Sequence, residues 1–114
     1  MEDCLFCKIV AGELPADKLL ETDEIIVFRD IRPQAPVHVL LIPKKHIPSA
    51  HDIQSDDVAL VGRLHLAAQQ VAVELGVAEQ GYRLVTNIGV HGQQTVPHLH
   101  YHLVGGRQLS WPPG

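Results

Sequence analysis

The sequence predicts an α+β domain in which an antiparallel sheet of about five strands packs against one long and one short helix. Runs rich in β-branched and aromatic residues lie before and after a single long helical pattern, without regular alternation of strand and helix. No repeat, linker or low-complexity tract divides the 114 residues, so they are predicted to form one domain, residues 1–114. The 46% hydrophobic content is that of an ordinary globular core.

Two segments have the pattern of helices. A short helix is predicted over residues 4–11, with Asp3 as its cap and Gly12 as its stop. A long helix is predicted over residues 55–75, since apolar residues recur there at helical spacing and Gly76 ends the pattern. The repeating apolar positions are Val58, Val61, Leu64, Ala68, Val71 and Leu75.

Strands are predicted where β-branched, leucine and aromatic residues cluster between turn residues. The five segments are residues 18–21, 24–30, 38–42, 82–87 and 98–104. The loop of residues 32–36 is stiffened by Pro33 and Pro36, and residues 88–96 form a glycine-bearing loop. Residues from about 105 to 114 are predicted to form a C-terminal arm.

Composition excludes several classes of function. The formal net charge of −4 lacks the basic footprint of a nucleic-acid binder, so no nucleic-acid partner is expected. No apolar run approaches the roughly 20 residues of a membrane span, and the acidic N-terminal residues do not resemble a signal peptide. We therefore expect a cytoplasmic protein without a membrane partner.

Three histidines, His98, His100 and His102, alternate within the last predicted strand. Residues two apart on a strand share a face, so their imidazoles should line one side while Leu99, Tyr101 and Leu103 enter the other. A polar strand face, a metal site and a nucleophile with its acid–base partners all fit this pattern.

The loop before this strand favours the chemical interpretation. Backbone N–H groups of the glycine-bearing residues 89–96 could cradle a phosphate, and the side chains of Gln94 and Thr95 could donate to phosphoryl oxygens or a leaving group. Neutral imidazole attacks phosphorus readily, and a neighbouring imidazole can stabilise the charge that develops.

Taken together, these motifs resemble those of the histidine triad superfamily, whose signature alternates three histidines with apolar residues. The segment of residues 86–114, TNIGVHGQQTVPHLHYHLVGGRQLSWPPG, resembles the Hint branch, as do residues 28–36, His38 and residues 42–47. The resemblance covers essentially the whole chain. It implies a homodimer that hydrolyses purine nucleoside phosphoramidates and acyl-nucleotides without an organic cofactor.

The resemblance also implies roles for individual residues. His100 is the implied nucleophile, flanked by His98 and His102, with His38 as a fourth histidine and Thr95 near the leaving group. Asp30 would accept both ribose hydroxyls, and Asn87 and Gln94 would lie near the phosphate. The implied purine slot consists of Phe6, Ile9, Leu14, Phe28 and Ile31, all of which could instead be core residues. Trp111 would approach the substrate of the partner subunit, or simply dock the arm.

Cys4 and Cys7 form a C-x-x-C pair, which many Hint proteins lack. In a reducing compartment this is a redox pair, half of a metal site, or two free thiols. Four-coordinate zinc needs two further ligands. The wider superfamily implies that His46 and His98 supply them, which predicts one structural zinc held by Cys4, Cys7, His46 and His98.

Three other functions stay open at this point. A sister branch of the superfamily hydrolyses dinucleoside polyphosphates, although the Hint-like C-terminal segment argues against that activity. A nucleotide-binding partner protein with weak activity would keep the fold but hydrolyse nucleotides only slowly. A protein that only binds metal through the three histidines would hold two or more ions per chain.

Overall fold

The computed structural model of the protein describes residues 3–114 and confirms the predicted α+β architecture. Residues 1 and 2 of the predicted domain lie outside the described residues. Five antiparallel strands form one sheet in the order β1-β2-β3-β5-β4. The elements are α1 (Leu5–Val10), β1 (Lys18–Glu21), β2 (Ile25–Arg29), β3 (Val37–Pro43), α2 (Val58–Glu74), β4 (Tyr82–Val85) and β5 (Tyr101–Gly105).

Side-chain alternation along the central strands gives the sheet two different faces. Val39 and Leu41 of β3 pack with Leu64 and Val71 of α2 in the larger core. Leu40 and Ile42, which alternate with them on β3, point to the other face and meet α1 in a second, smaller core. The sheet is thus covered by α2 on one face and by α1 on the other.

The long helix differs from its prediction at its beginning. Residues Ser55–Asp57 form a 3₁₀ turn, and the α-helix starts at Val58. Asp57 accepts from the Gln54 N–H and pairs with Lys45 at this end. Val58, the first of the repeating apolar positions, is 64% exposed, while the helix buries Leu60, Leu64, Ala67, Ala68, Val71 and Ala72. The buried face is rotated from the predicted stripe toward alanines, whose small side chains let a helix approach the sheet closely.

The short helix begins one residue later than predicted, and its cap is different. The N-cap is Cys4, whose Sγ accepts from the Cys7 N–H at 3.3 Å, so Asp3 is not the cap. Gly12 follows the helix with φ of +79°, which agrees with the predicted stop.

The histidine-bearing strand is shorter than predicted, because β5 begins at Tyr101. His98 and His100 therefore precede the strand and lie outside its ladder, although their alternation persists: Leu99 and Leu103 are buried in the α2 core. Similarly, β4 ends at Val85 and leaves Asn87 in the following loop. Within residues 3–114, no helix is long and apolar enough to cross a membrane.

Candidate active site and metal site

A cavity of about 540 Å³ opens on the α1 side of the sheet. Nine of the residues predicted to contact substrate line it: Phe6, Ile9, Leu14, Phe28, Asp30, Ile31, Thr95, His100 and His102. The lining also includes Leu5 and residues 15–17, for which the sequence carried no signal. The cavity brings apolar side chains, a carboxylate and two imidazoles to one place.

His100 presents a bare nitrogen in this cavity. Its Nδ1 lies 2.7 Å from the carbonyl oxygen of His98, and since a carbonyl only accepts, Nδ1 carries the proton. The lone pair of the neutral ring is therefore on Nε2. Burial lowers the pKa of His100, against the opposing effects of the His98 carbonyl and Asp30. A neutral imidazole with a free Nε2 is the form that attacks phosphorus.

The positions of His38 and His102 define a directed chain of hydrogen bonds. The Gln34 N–H donates to His38 Nδ1 at 3.0 Å, so the proton of neutral His38 is on Nε2. His38 Nε2 lies 2.9 Å from His102 Nδ1, which must then accept, leaving the proton of His102 on its own Nε2. Burial, with repulsion from His100 and His38, lowers the pKa of His102 to about 4, so the ring is neutral at pH 7.

Asp30 lies at the wall of the cavity beside this chain. Its Oδ1 accepts from the Arg32 N–H at 2.8 Å, and its Oδ2 lies 3.3 Å from His38 Nε2. Each carboxylate oxygen has two acceptor sites, so both oxygens retain capacity for a ligand's hydroxyl groups. The carboxylate also opposes the effect of burial, which lowers the pKa of His38.

The loop before β5 is closed by its own hydrogen bonds. The Gln94 side-chain amide donates to the carbonyl oxygens of Pro48 and Val96 and accepts from the Gly89 N–H. A Cβ on Gly92 would stand 2.4 Å from the carbonyl oxygen of Ile88, so only glycine allows this closure. Gln94 therefore shapes the loop from outside the cavity lining, whereas Thr95 lines the cavity.

The residues of the predicted purine slot divide by exposure. Phe6, Ile9 and Phe28 are at most 6% exposed and belong to the smaller core as well as to the cavity wall. Ile31 is 92% exposed at the rim, where no packing role accounts for it. Asn87 is half-buried and Trp111 is 80% exposed, and neither lines the cavity of its own chain.

Cys4, Cys7, His46 and His98 form a group that could hold a metal ion, with all ligand atoms within 4.8 Å of one another. His98 Nδ1 lies 3.3 Å from Cys4 Sγ, 3.5 Å from Cys7 Sγ and 3.1 Å from His46 Nδ1. A tetrahedron of zinc–nitrogen and zinc–sulfur bonds has edges of about 3.3–3.8 Å, close to these spacings. Both cysteines are free thiols.

The far side of the His98 ring supports the same interpretation. His98 Nε2 lies 2.8 Å from the carbonyl oxygen of Pro43, so Nε2 carries the proton and Nδ1 is bare toward the thiols. A histidine that binds metal characteristically donates its other N–H to such an acceptor. His98 thus faces the Cys4, Cys7 and His46 side chains with its ring and His100 with its carbonyl oxygen.

A second cluster, Asp30, His38 and His102, also has metal-ligand composition. In this cluster the hydrogen bond opposes metal binding. The Gln34 N–H donates to His38 Nδ1, so the proton of His38 stays on Nε2, the nitrogen that would have to bind the metal. This cluster is therefore a hydrogen-bonded chain.

Sequence reasoning does not predict two contacts of the histidine cluster, one to His100 and one to His38. Thr86 Oγ1 donates to the carbonyl oxygen of His100 at 2.9 Å and holds the residue where the strand ladder does not reach. The Gln34 N–H is a main-chain group, so no side-chain pattern indicates its role. The only available sign was the pair of prolines that stiffens its loop.

Comparisons with known proteins identify the family of this chain. A family model described as "Scavenger mRNA decapping enzyme C-term binding" matches residues 3–110. An uncharacterized HIT-like protein of Synechocystis sp. is 51% identical over 113 residues, covering 99% of this chain and 98% of the relative.

Solved structures show the same relationship. A HIT family hydrolase from Legionella pneumophila is 52% identical with a TM-score of 0.96, covering 98% of this chain and all of that one. A histidine triad protein from Clostridium difficile is 41% identical with a TM-score of 0.93, covering 96% of each chain. Given this coverage and the histidine cluster described above, the chain belongs to the histidine triad (HIT) family.

Proposed function

We propose that the protein hydrolyses nucleoside 5′-phosphoramidates and acyl- or aminoacyl-nucleotides, with purine bases preferred, through a covalent nucleotidyl-His100 intermediate. The observation that carries the proposal is the bare Nε2 of a buried, neutral His100 at the wall of an apolar cavity. Similarity to HIT family hydrolases of known structure supports the reaction class.

In the first step His100 Nε2 forms a bond to the α-phosphorus, and the bond from phosphorus to the amine or acyl oxygen breaks. The His98 carbonyl, bound to Nδ1–H, stabilises the positive charge that develops on the ring. In the second step water attacks phosphorus and releases one proton to solvent, the bond to Nε2 breaks, and the nucleoside monophosphate is released.

The leaving group takes the bonding electron pair and needs a proton. This proton comes from solvent through Thr95 or the histidine cluster, since the Thr95 hydroxyl and His102 Nε2–H both border the cavity and can donate hydrogen bonds to the leaving group, and His38 supports His102 from behind. Within the family pattern Thr95 stands where serine is usual, and its extra methyl group restricts the hydroxyl's rotamers. His98 contributes to this chemistry through its carbonyl oxygen.

Nucleotide binding follows from the cavity wall. We propose that Asp30 accepts the ribose hydroxyls while the purine lies between Ile31 and the buried side chains of Phe6, Ile9, Leu14 and Phe28. The exposed Ile31 supports this arrangement, since covering it with a base would remove a large apolar surface from water. Asn87 and Gln94 lie on the side of the cavity where the phosphate would bind, and Gln94 contributes by shaping the loop before β5.

We further propose that the protein works as a homodimer. Val58, Leu66 and Val73 are exposed on α2 and lie within about 80° of one another around the helix. β4 is an edge strand of the sheet and could extend this interface. In the proposed dimer, Trp111, which is 80% exposed, approaches the substrate of the partner subunit.

We propose that Cys4, Cys7, His46 and His98 hold one zinc ion per chain in the reducing cytoplasm. A structural zinc supplies cross-linking between α1, the end of β3 and the segment before β5, because its ligands come from all three. Elemental analysis of protein purified without chelator tests this, and a metal content near zero would contradict it.

Release of AMP from adenosine 5′-phosphoramidate tests the reaction, with wild type compared with His100→Ala and with His65→Ala as a matched control. His65 is an exposed histidine on α2, so its loss should leave turnover unchanged. We expect turnover in wild type and its loss in His100→Ala. If a folded, dimeric wild type shows no turnover of the phosphoramidate but binds nucleotide with measurable affinity, the protein is a nucleotide-binding protein. If it hydrolyses diadenosine polyphosphate and not the phosphoramidate, it has the sister-branch activity.

A further inference from the structure

Arg107 lies in the C-terminal arm, two residues after β5 ends, and its side chain is exposed. Its Nη2 donates to the carbonyl oxygen of Gln34 at 3.0 Å, across 73 positions of sequence. The neighbouring Gly106 is so close to the same loop that an added Cβ would stand 2.9 Å from the Cβ of Pro36. The arm and the loop of residues 32–36 are therefore in tight contact outside the cavity.

Gln34 connects this contact to the histidines. Its carbonyl accepts from Arg107, and its N–H donates to His38 Nδ1 at 3.0 Å. His38 Nε2 then lies 2.9 Å from His102 Nδ1. Three successive hydrogen bonds thus join an exposed guanidinium to a ring that lines the cavity.

We propose that Arg107 is a positioning residue that holds Gln34 so that its N–H keeps the proton of His38 on Nε2, and thereby keeps His102 Nε2 protonated, so that it can donate a hydrogen bond to the leaving group. The role in catalysis rests on the proposed function, whereas the effect on the His38 tautomer does not. Arg107 does not line the cavity, so it acts through Gln34 and His38.

The physical reason lies in the small energy that separates the two neutral forms of imidazole. A free ring can place its proton on either nitrogen, so the bond made by one nitrogen decides the other. If Gln34 moves and its N–H no longer faces Nδ1, His38 can carry the proton there. Its bare Nε2 would then face the bare Nδ1 of His102, and the directed chain would be lost.

Arg107→Met tests this inference, because methionine keeps an extended apolar side chain and removes every donor. Arg107→Lys restores one charged donor and should show a partial effect. The matched control is Arg83→Met, since Arg83 Nη2 also donates to a carbonyl oxygen of the arm, that of Ser110, without touching Gln34.

The first readout is the tautomer of His38, measured by long-range ¹H–¹⁵N correlation spectra of the histidine rings in the full-length protein. We expect a protonated Nε2 in wild type and Arg83→Met, and a mixture of tautomers in Arg107→Met. The second readout is turnover of adenosine 5′-phosphoramidate, where kcat should fall about three- to tenfold in Arg107→Met with KM little changed.

An unchanged His38 tautomer in Arg107→Met would overturn the inference, as would an equal change in Arg83→Met, which would indicate general loosening of the arm. A tautomer shift in a protein that shows no turnover would uphold the positioning role and count only against the proposed function. Thermal melting of each variant checks that all are folded.

Discussion

Replacing Phe6 by leucine tests whether aromatic contacts hold the short helix against the histidines. The Phe6 ring is 4% exposed and meets three rings edge-on, with centroid distances of 5.7 Å to Phe28, 5.9 Å to His98 and 5.1 Å to His100. Pairs of aromatic rings contribute about 0.5–1.5 kcal/mol each beyond the area they bury. Leucine keeps much of the apolar volume but offers no ring edge.

The expected loss follows from these contacts. At the lower end of that range, three contacts amount to about 1.5 kcal/mol, and the poorer fit of leucine adds up to about 1 kcal/mol. We expect Phe6→Leu to lower the free energy of unfolding by about 1.5–2.5 kcal/mol. For 114 residues the unfolding entropy is about 0.24 kcal/mol per degree, so Tm should fall by about 6–10 °C.

Urea unfolding followed by circular dichroism, at one protein concentration and with the same zinc concentration in every sample, measures this loss. The control is Leu5→Ala on the same helix, where the side chain is 47% exposed and the expected loss is less than about 1 kcal/mol. A loss in Phe6→Leu below about 0.5 kcal/mol, or no larger than that of Leu5→Ala, would refute the reasoning.

Three further predictions concern the metal, the pH and the dimer. Cys7→Ser should reduce bound zinc from one per chain to near zero by elemental analysis; retention of a full equivalent would remove Cys7 from the ligand set. Because the pKa of His102 is about 4 in the folded state and about 6.5 in an unfolded chain, the unfolded state binds more protons between these values. The free energy of unfolding should therefore fall as the pH drops from about 6.5 to about 4, by at most about 1.4 kcal/mol per pH unit from this group. As the pH drops, the urea midpoint should fall less steeply in His102→Asn than in wild type, and equal slopes would contradict the assignment of this pH dependence to His102. Leu66→Glu together with Val73→Glu should give monomers in sedimentation experiments, whereas Val90→Glu, which changes a still more exposed apolar residue in a loop, should not. A stable dimer in the double variant would exclude the α2 face as the interface.

Some of the fold could be predicted because the pattern and the structure depend on the same local physics. β1 has the predicted bounds, and β2 and β3 differ from theirs by one residue at each end. Turn residues and β-branched side chains act within a few positions, so their effect is visible in the sequence. The predicted starts of α2 and β5 are wrong because both depend on contacts between residues far apart in sequence. Examples are Lys45 with Asp57 and Thr86 with the carbonyl of His100.

The sequence by itself determined which residues have the chemistry of the site and that the three histidines alternate to one side. Only the tertiary structure decided what each imidazole does. His98, His100 and His102 are the same side chain at equal spacing, yet the first faces the metal group, the second presents a bare Nε2 and the third accepts a hydrogen bond from His38. The reason is that a histidine's function depends on which of its nitrogens carries the proton. The group opposite each ring decides this. It is the Pro43 carbonyl for His98 and the His98 carbonyl for His100, whereas His102 faces the N–H of His38, whose own proton is placed by the Gln34 N–H.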